Sequence, residues 1–114
     1  MDKPEIKTCL ACEGGVLPLK RAEIKKHLAT DCPEWKETIY GKEIARDYQF
    51  KDYYETIAFV NAVAELSHRE NHHPDLKVTY NHCIVSYSTH AVDALTDNDF
   101  ICAKFVDGLY TRGQ

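Results

Sequence analysis

The segment from Tyr53 to about Arg69 carries the strongest periodic signal in the chain, and Pro74 fixes where it must end. Phe59, Ala62, Val63 and Leu66 fall on one stripe at helical spacing, which predicts an amphipathic helix laid on a core. A residue that precedes proline is biased away from the right-handed helical region, so the helix stops near His72. The whole chain has 114 residues, enough for one domain and one core around such a helix.

Strand-like runs flank it on both sides. Before it, Trp35 to Tyr40 and Glu43 to Phe50 are separated by Gly41-Lys42, a tight hairpin connection, and Ile44, Arg46, Tyr48 and Phe50 share one face of the second run. After it, Lys77 to Tyr80 and Cys83 to Thr89 read as a second hairpin turned at Asn81-His82, with Val85 and Tyr87 alternating with Ile84, Ser86 and Ser88. Lys20 to Ala29 predicts a short surface helix ended by Cys32-Pro33. Thr96-Asp97-Asn98-Asp99 opens a last helix as a capping-box variant, with Phe100, Ala103, Phe105, Val106 and Leu109 as its apolar positions. Residues 1–18, with Gly14-Gly15 and Pro18, read as an irregular arm, and residues 19–114 as a single domain. Two hairpins and three helices predict an α+β two-layer sandwich, a four-stranded antiparallel sheet with helices packed on one face.

A net charge of −4, from 14 basic and 18 acidic residues scattered along the chain, leaves no Lys/Arg block to neutralise a run of phosphates. Direct nucleic-acid binding is not expected. Met1 to Lys7 is charged, no apolar signal region follows it, and no apolar run reaches membrane-spanning length. A soluble, cytoplasmic protein without a membrane partner is the expectation. Five cysteines is an odd number, which in such a compartment points to thiols or metal ligands more than to a disulfide framework; Cys83 and Cys102 lie in apolar segments and read as small core hydrophobes.

The chemistry is concentrated in His68-x3-His72-His73-Pro74-x5-Tyr80-x9-His90-x8-Asp99. Imidazoles supply acid, base and hydrogen-bonding groups near neutral pH. His68 and His72, at i and i+4, are expected to share the helix face near its C-terminus, where the helix dipole favours a protonated ring and would make His72 a competent general acid. His73, outside the helix, is expected to point elsewhere and line another side of a pocket. His90 is expected to close the last strand at a sheet end, and the three rings meet if that end faces the helix terminus. Taken singly, each is also readable as a solvated loop histidine. Three His with a nearby Asp is a common metal set, but adjacent His72-His73 diverge and suit chelation poorly.

This order and spacing resemble the signature of the pterin-4a-carbinolamine dehydratases, and the chain is identified as a member of that family. Trp35, Arg46, Tyr48, Phe50 and Phe59 fit the same pattern, so the resemblance runs from about residue 9 to about residue 107. It implies an α+β fold and removal of water from 4a-hydroxytetrahydropterin, the product an aromatic amino acid hydroxylase leaves, to give quinonoid dihydropterin. The implied partners are a pterin substrate, that hydroxylase as a functional link, and further copies of the chain in a dimer or tetramer. No cofactor or metal is implied. By resemblance, His72 and His90 do the acid/base work and His73 mainly binds and orients the pterin. Asp99 stands at the family's acidic position, with the N3 place in the helix cap as its simpler role; Tyr80 stands at an aromatic position and is a packing candidate. His68 stands where many members carry an acidic residue, and Leu76 where animal forms carry tryptophan.

Two features leave alternatives open. Cys9-x2-Cys12 with His27 and Cys32 has acceptable spacing for a Cys3His zinc site pinning the arm to the first helix, yet Cys-x2-Cys-x-Gly-Gly also resembles the start of many family members that need no metal. The resemblance also admits a binding module, since animal relatives serve as dimerisation cofactors for a homeodomain transcription factor. A pterin-binding regulator without turnover, connected with molybdopterin metabolism, is the third reading.

Overall fold

The computed structural model describes residues 17–113, so most of the expected arm, including Cys9 and Cys12, lies outside the described residues. The elements run α1 (Arg21–Lys26), a π-helical turn (His27–Asp31), β1 (Lys36–Ile39), β2 (Glu43–Gln49), α2 (Tyr53–Glu70), β3 (Asp75–Val78), β4 (His82–Tyr87) and α3 (Asp97–Gly113). The four strands form one antiparallel sheet in the order β1-β2-β4-β3, and with the three helices this is an α+β fold.

The alternation in the strands decides what the sheet buries. Ile44 pairs with Tyr87 and Tyr48 with Cys83, and all four are buried. Their neighbours Asp47 and Gln49 are exposed on the other face. Phe59, Val63 and Leu66 of α2 and Phe100, Ala103 and Val106 of α3 join the same core cluster, as the apolar stripes of the two helices predict. The first turn needs Gly41, whose φ of 70° lies in the left-handed region, and the Lys42 N–H closes it on the Ile39 carbonyl at 2.9 Å.

Two expectations shift. β3 begins directly after Pro74 and ends at Val78, two residues earlier than expected, because the turn is closed by the Thr79 N–H on the His82 carbonyl at 2.9 Å; His82 then opens β4 instead of sitting in the turn. The first helix is shorter than Lys20 to Ala29 and passes into a π-helical turn, with the Cys32 N–H bonded to the His27 carbonyl five residues back. Cys83 and Cys102 are buried in the core as expected, Cys32 and Cys83 as free thiols and Cys102 disulfide-bonded.

Candidate active site

The end of α2 determines where the first histidine goes. Asn71 takes the left-handed conformation, φ 54° and ψ 41°, which Asn tolerates better than most residues, and its N–H bonds to the Ser67 carbonyl. The His72 N–H closes on the same carbonyl at 3.3 Å. This cap turns the chain out of the helix, so His72 does not share the exposed face of His68 as the i, i+4 spacing suggests. Instead, His72 is 2% exposed, its ring stacked on Tyr87 at 5.5 Å and 4° between planes.

There it meets Asp99. The His72 Nε2 to Asp99 Oδ1 distance is 2.7 Å, and Asp99 has no exposed surface. Asp99 is also the N3 residue of α3: its Oδ2 accepts from the Thr96 N–H at 2.9 Å and from the Thr89 hydroxyl at 2.8 Å. One oxygen therefore completes the cap while the other holds the imidazole. With an ionised carboxylate as acceptor, Nε2 is the donor.

The remaining histidines lie on adjoining backbone. His73 follows the buried ring directly and is exposed. His90 lies beyond β4, in a turn held by the Thr89–Ala94 bridge and by the Asp93 N–H on the His90 carbonyl at 3.2 Å, and it too is exposed. Thr89 joins the two regions, because its hydroxyl touches Asp99 while its backbone anchors the His90 turn. Tyr80 is in the β3–β4 turn, 63% exposed, and stacks on Tyr53 at 6.4 Å. His68 is exposed on α2.

Of the candidate zinc ligands within the described residues, His27 bonds through Nδ1 to Asp31 at 2.6 Å and stacks on Phe100, and Cys32 is buried with its thiol pushed up to about 12, chiefly by burial. Among the described residues no group of three His, Cys, Asp or Glu is placed to hold a metal ion.

Two features escaped the sequence reading. Thr89, Thr96 and Tyr87 complete the surroundings of the His72–Asp99 pair; their only signal was proximity to His90 and the cap. Asp107 is the second: its Oδ1 accepts from Trp35 Nε1 at 3.0 Å, from Arg46 at 2.8 Å and from the Tyr48 hydroxyl. Burial, followed by this carboxylate, raises the Tyr48 phenol above its ordinary range. The donors had been marked, but not what they donate to.

The fold and this site define a small α+β domain with a buried imidazole–carboxylate pair flanked by exposed histidines, a site equipped for proton transfer. Residues 17–109 match the family described as pterin 4 alpha carbinolamine dehydratase, and the chain belongs to that family. It is 48% identical over 110 residues to a protein of Nitrosospira multiformis named "Putative pterin-4-alpha-carbinolamine dehydratase", covering 96% of this chain and 95% of that one. A protein of the same name from Nitrosomonas eutropha is 50% identical over 101 residues, covering 89% and 88%. Among solved structures, the transcriptional coactivator/pterin dehydratase from Brucella melitensis superimposes with a TM-score of 0.77 at 23% identity, over 82% of this chain and 99% of that one. A pterin dehydratase-like protein identified as a RuBisCO assembly factor in the alpha-carboxysome gives 0.60 at 22% identity, over 68% and 89%. These two show likeness of fold. No helix among the described residues is long and apolar enough to cross a membrane.

Proposed function

We propose that the protein dehydrates 4a-hydroxytetrahydropterin to quinonoid dihydropterin by histidine acid/base catalysis. The observation that carries this reading is the 2.7 Å hydrogen bond between buried His72 and buried Asp99 in a chain of this family. The reaction needs only proton transfers. The N5 lone pair pushes toward C4a, the C4a–O bond breaks as an acid protonates the departing hydroxyl, water leaves, and a base takes a proton from the cationic ring system. His72 and His90 are assigned the acid and base work and His73 the orientation of the pterin, with Asp99 fixing the His72 ring. We place the reaction in the cytoplasm, in a homo-oligomer that serves an aromatic amino acid hydroxylase.

The test is the dehydration rate of freshly generated 4a-hydroxytetrahydropterin across pH, for the intact protein and for His72→Ala and His90→Ala. Acceleration that falls by about a hundredfold or more in each folded variant is expected of general acid/base groups. No acceleration above buffer by the folded wild type would move the reading to a binding module. An apolar groove of about 290 Å³ between α2 and α3, lined by Phe50, Tyr54, Ala58, Phe59, Leu109 and Tyr110, favours that second reading, and a scaffold role would survive loss of the imidazoles.

A further inference from the structure

We infer that Thr89 is a positioning residue of the site, holding the Asp99 carboxylate so that Oδ1 faces His72 while fixing the start of the turn that presents His90. This rests on the dehydratase reading for its effect on rate, though not for its effect on the ring.

The hydrogen bonds around Thr89 run in one direction. The Asn98 N–H donates to the Thr96 hydroxyl oxygen at 3.3 Å, and the two threonine hydroxyls are 2.8 Å apart. Thr89 has one hydroxyl proton and spends it on Asp99 Oδ2, so Thr96 must be the donor to Thr89. The chain therefore ends on a carboxylate, where a hydrogen bond is stronger than between neutral groups. Thr89, Thr96 and Asp99 are all fully buried, so no water replaces a missing donor without rearrangement. A carboxylate could otherwise rotate about its Cβ–Cγ bond; two donors on Oδ2 fix that rotation and leave Oδ1 for the imidazole.

The same residue fixes the second histidine. The Thr89 N–H bonds to the Ala94 carbonyl at 3.2 Å and the Ala94 N–H returns to the Thr89 carbonyl at 3.4 Å, closing the turn in which His90 is the next residue. Its hydroxyl holds the carboxylate that is bonded to His72 and its backbone leads into His90, which ties the placement of the two proposed proton-transfer groups to one residue.

The test uses Thr89→Val, which keeps the branched shape and removes the hydroxyl, and Thr89→Ser, which restores it. In the substrate-free protein, the downfield Nε2–H resonance of His72 is followed by nitrogen-edited NMR. In Thr89→Val it is expected to shift upfield and exchange with water at least about tenfold faster, as loss of a charge-assisted bond implies. In Thr89→Ser it is expected to return to the wild-type position. In the dehydration assay, Thr89→Val is expected to lower kcat about tenfold with KM within twofold, and Thr89→Ser to restore kcat. An unchanged His72 resonance in folded Thr89→Val overturns the inference, as does a change that serine fails to reverse. Should Thr89→Val fail to fold, Thr96→Val removes the donor behind Thr89 and keeps the backbone N–H; the resonance must then move in the same direction, and an unmoved one overturns the inference. A wild type that does not accelerate dehydration defeats the dehydratase reading, while the resonance still decides the role of Thr89.

Discussion

Helix α3 carries two carboxylates that gather hydrogen bonds from the rest of the domain, and they differ in what donates to them. Asp107 receives Trp35, Arg46 and Tyr48, groups that keep their protons throughout the neutral range. Asp99 receives Thr89, the Thr96 N–H and His72, and imidazole is the side chain whose ordinary titration falls between pH 5 and 8. The two acids are eight positions apart, about 12 Å along a helix axis. One device therefore serves two ends: around Asp107 it clamps the sheet to α3, and around Asp99 it holds the ring to which we assign proton transfer. The aromatic setting differs as well. Arg46 lies over the Tyr48 ring at 4.5 Å and Tyr110 packs on Tyr48 at 4.9 Å around a part-exposed carboxylate, whereas buried His72 is stacked on Tyr87 against a fully buried one.

The contrast should be largest in rate. His72→Ala is expected to lower kcat for dehydration by about a thousandfold, within the range for loss of an acid/base group, while Asp107→Asn stays within about threefold of wild type. Steady-state assays on variants whose circular dichroism matches wild type check this; equal losses in both would erase the distinction between the two ends.

In stability the order reverses. Asp107→Asn weakens three bonds at a site whose Arg46 and Asp107 side chains are 20% and 25% exposed, and about 1–3 kcal/mol of unfolding free energy is expected to go with them. Urea unfolding measures it, and a midpoint unchanged from wild type would show that the clamp does not hold the domain together.

The smallest effect lies in pH. Because burial and Asp107 raise the Tyr48 phenol, the unfolded tyrosine ionises first as pH rises. The stabilisation from this group is thus complete below about pH 10, the ordinary tyrosine value, and is lost progressively above it. Tyr48→Phe is expected to flatten that alkaline decline, as seen in midpoints recorded between pH 8 and 11; a decline as steep as wild type would place its origin elsewhere.

Much of this architecture was legible in local pattern. The α2 stripe, the Gly41 turn and the two hairpins followed from periodicity and turn chemistry, and the two ends of β3 moved only because Pro74 starts the strand and Thr79 closes the turn. The candidate residues were legible as a set, since spacing marks them, but their arrangement was not. Whether His72 shares a face with His68 depends on the left-handed Asn71 cap, which a helical wheel does not contain. The acceptor for Trp35 lies 72 residues away and that for Arg46 lies 61 away, so Asp107 emerges only from the packing of α3 on the sheet.

The central claim is that the Asp99 end handles the proton and the Asp107 end does not. Asp99→Asn keeps the size of the side chain and removes its charge, so the most direct measurement is its dehydration rate on freshly generated 4a-hydroxytetrahydropterin beside that of Asp107→Asn, each in folded protein. The account predicts that Asp99→Asn falls by about a hundredfold or more while Asp107→Asn stays near wild type. An Asp99→Asn protein that dehydrates the pterin at the wild-type rate would contradict it.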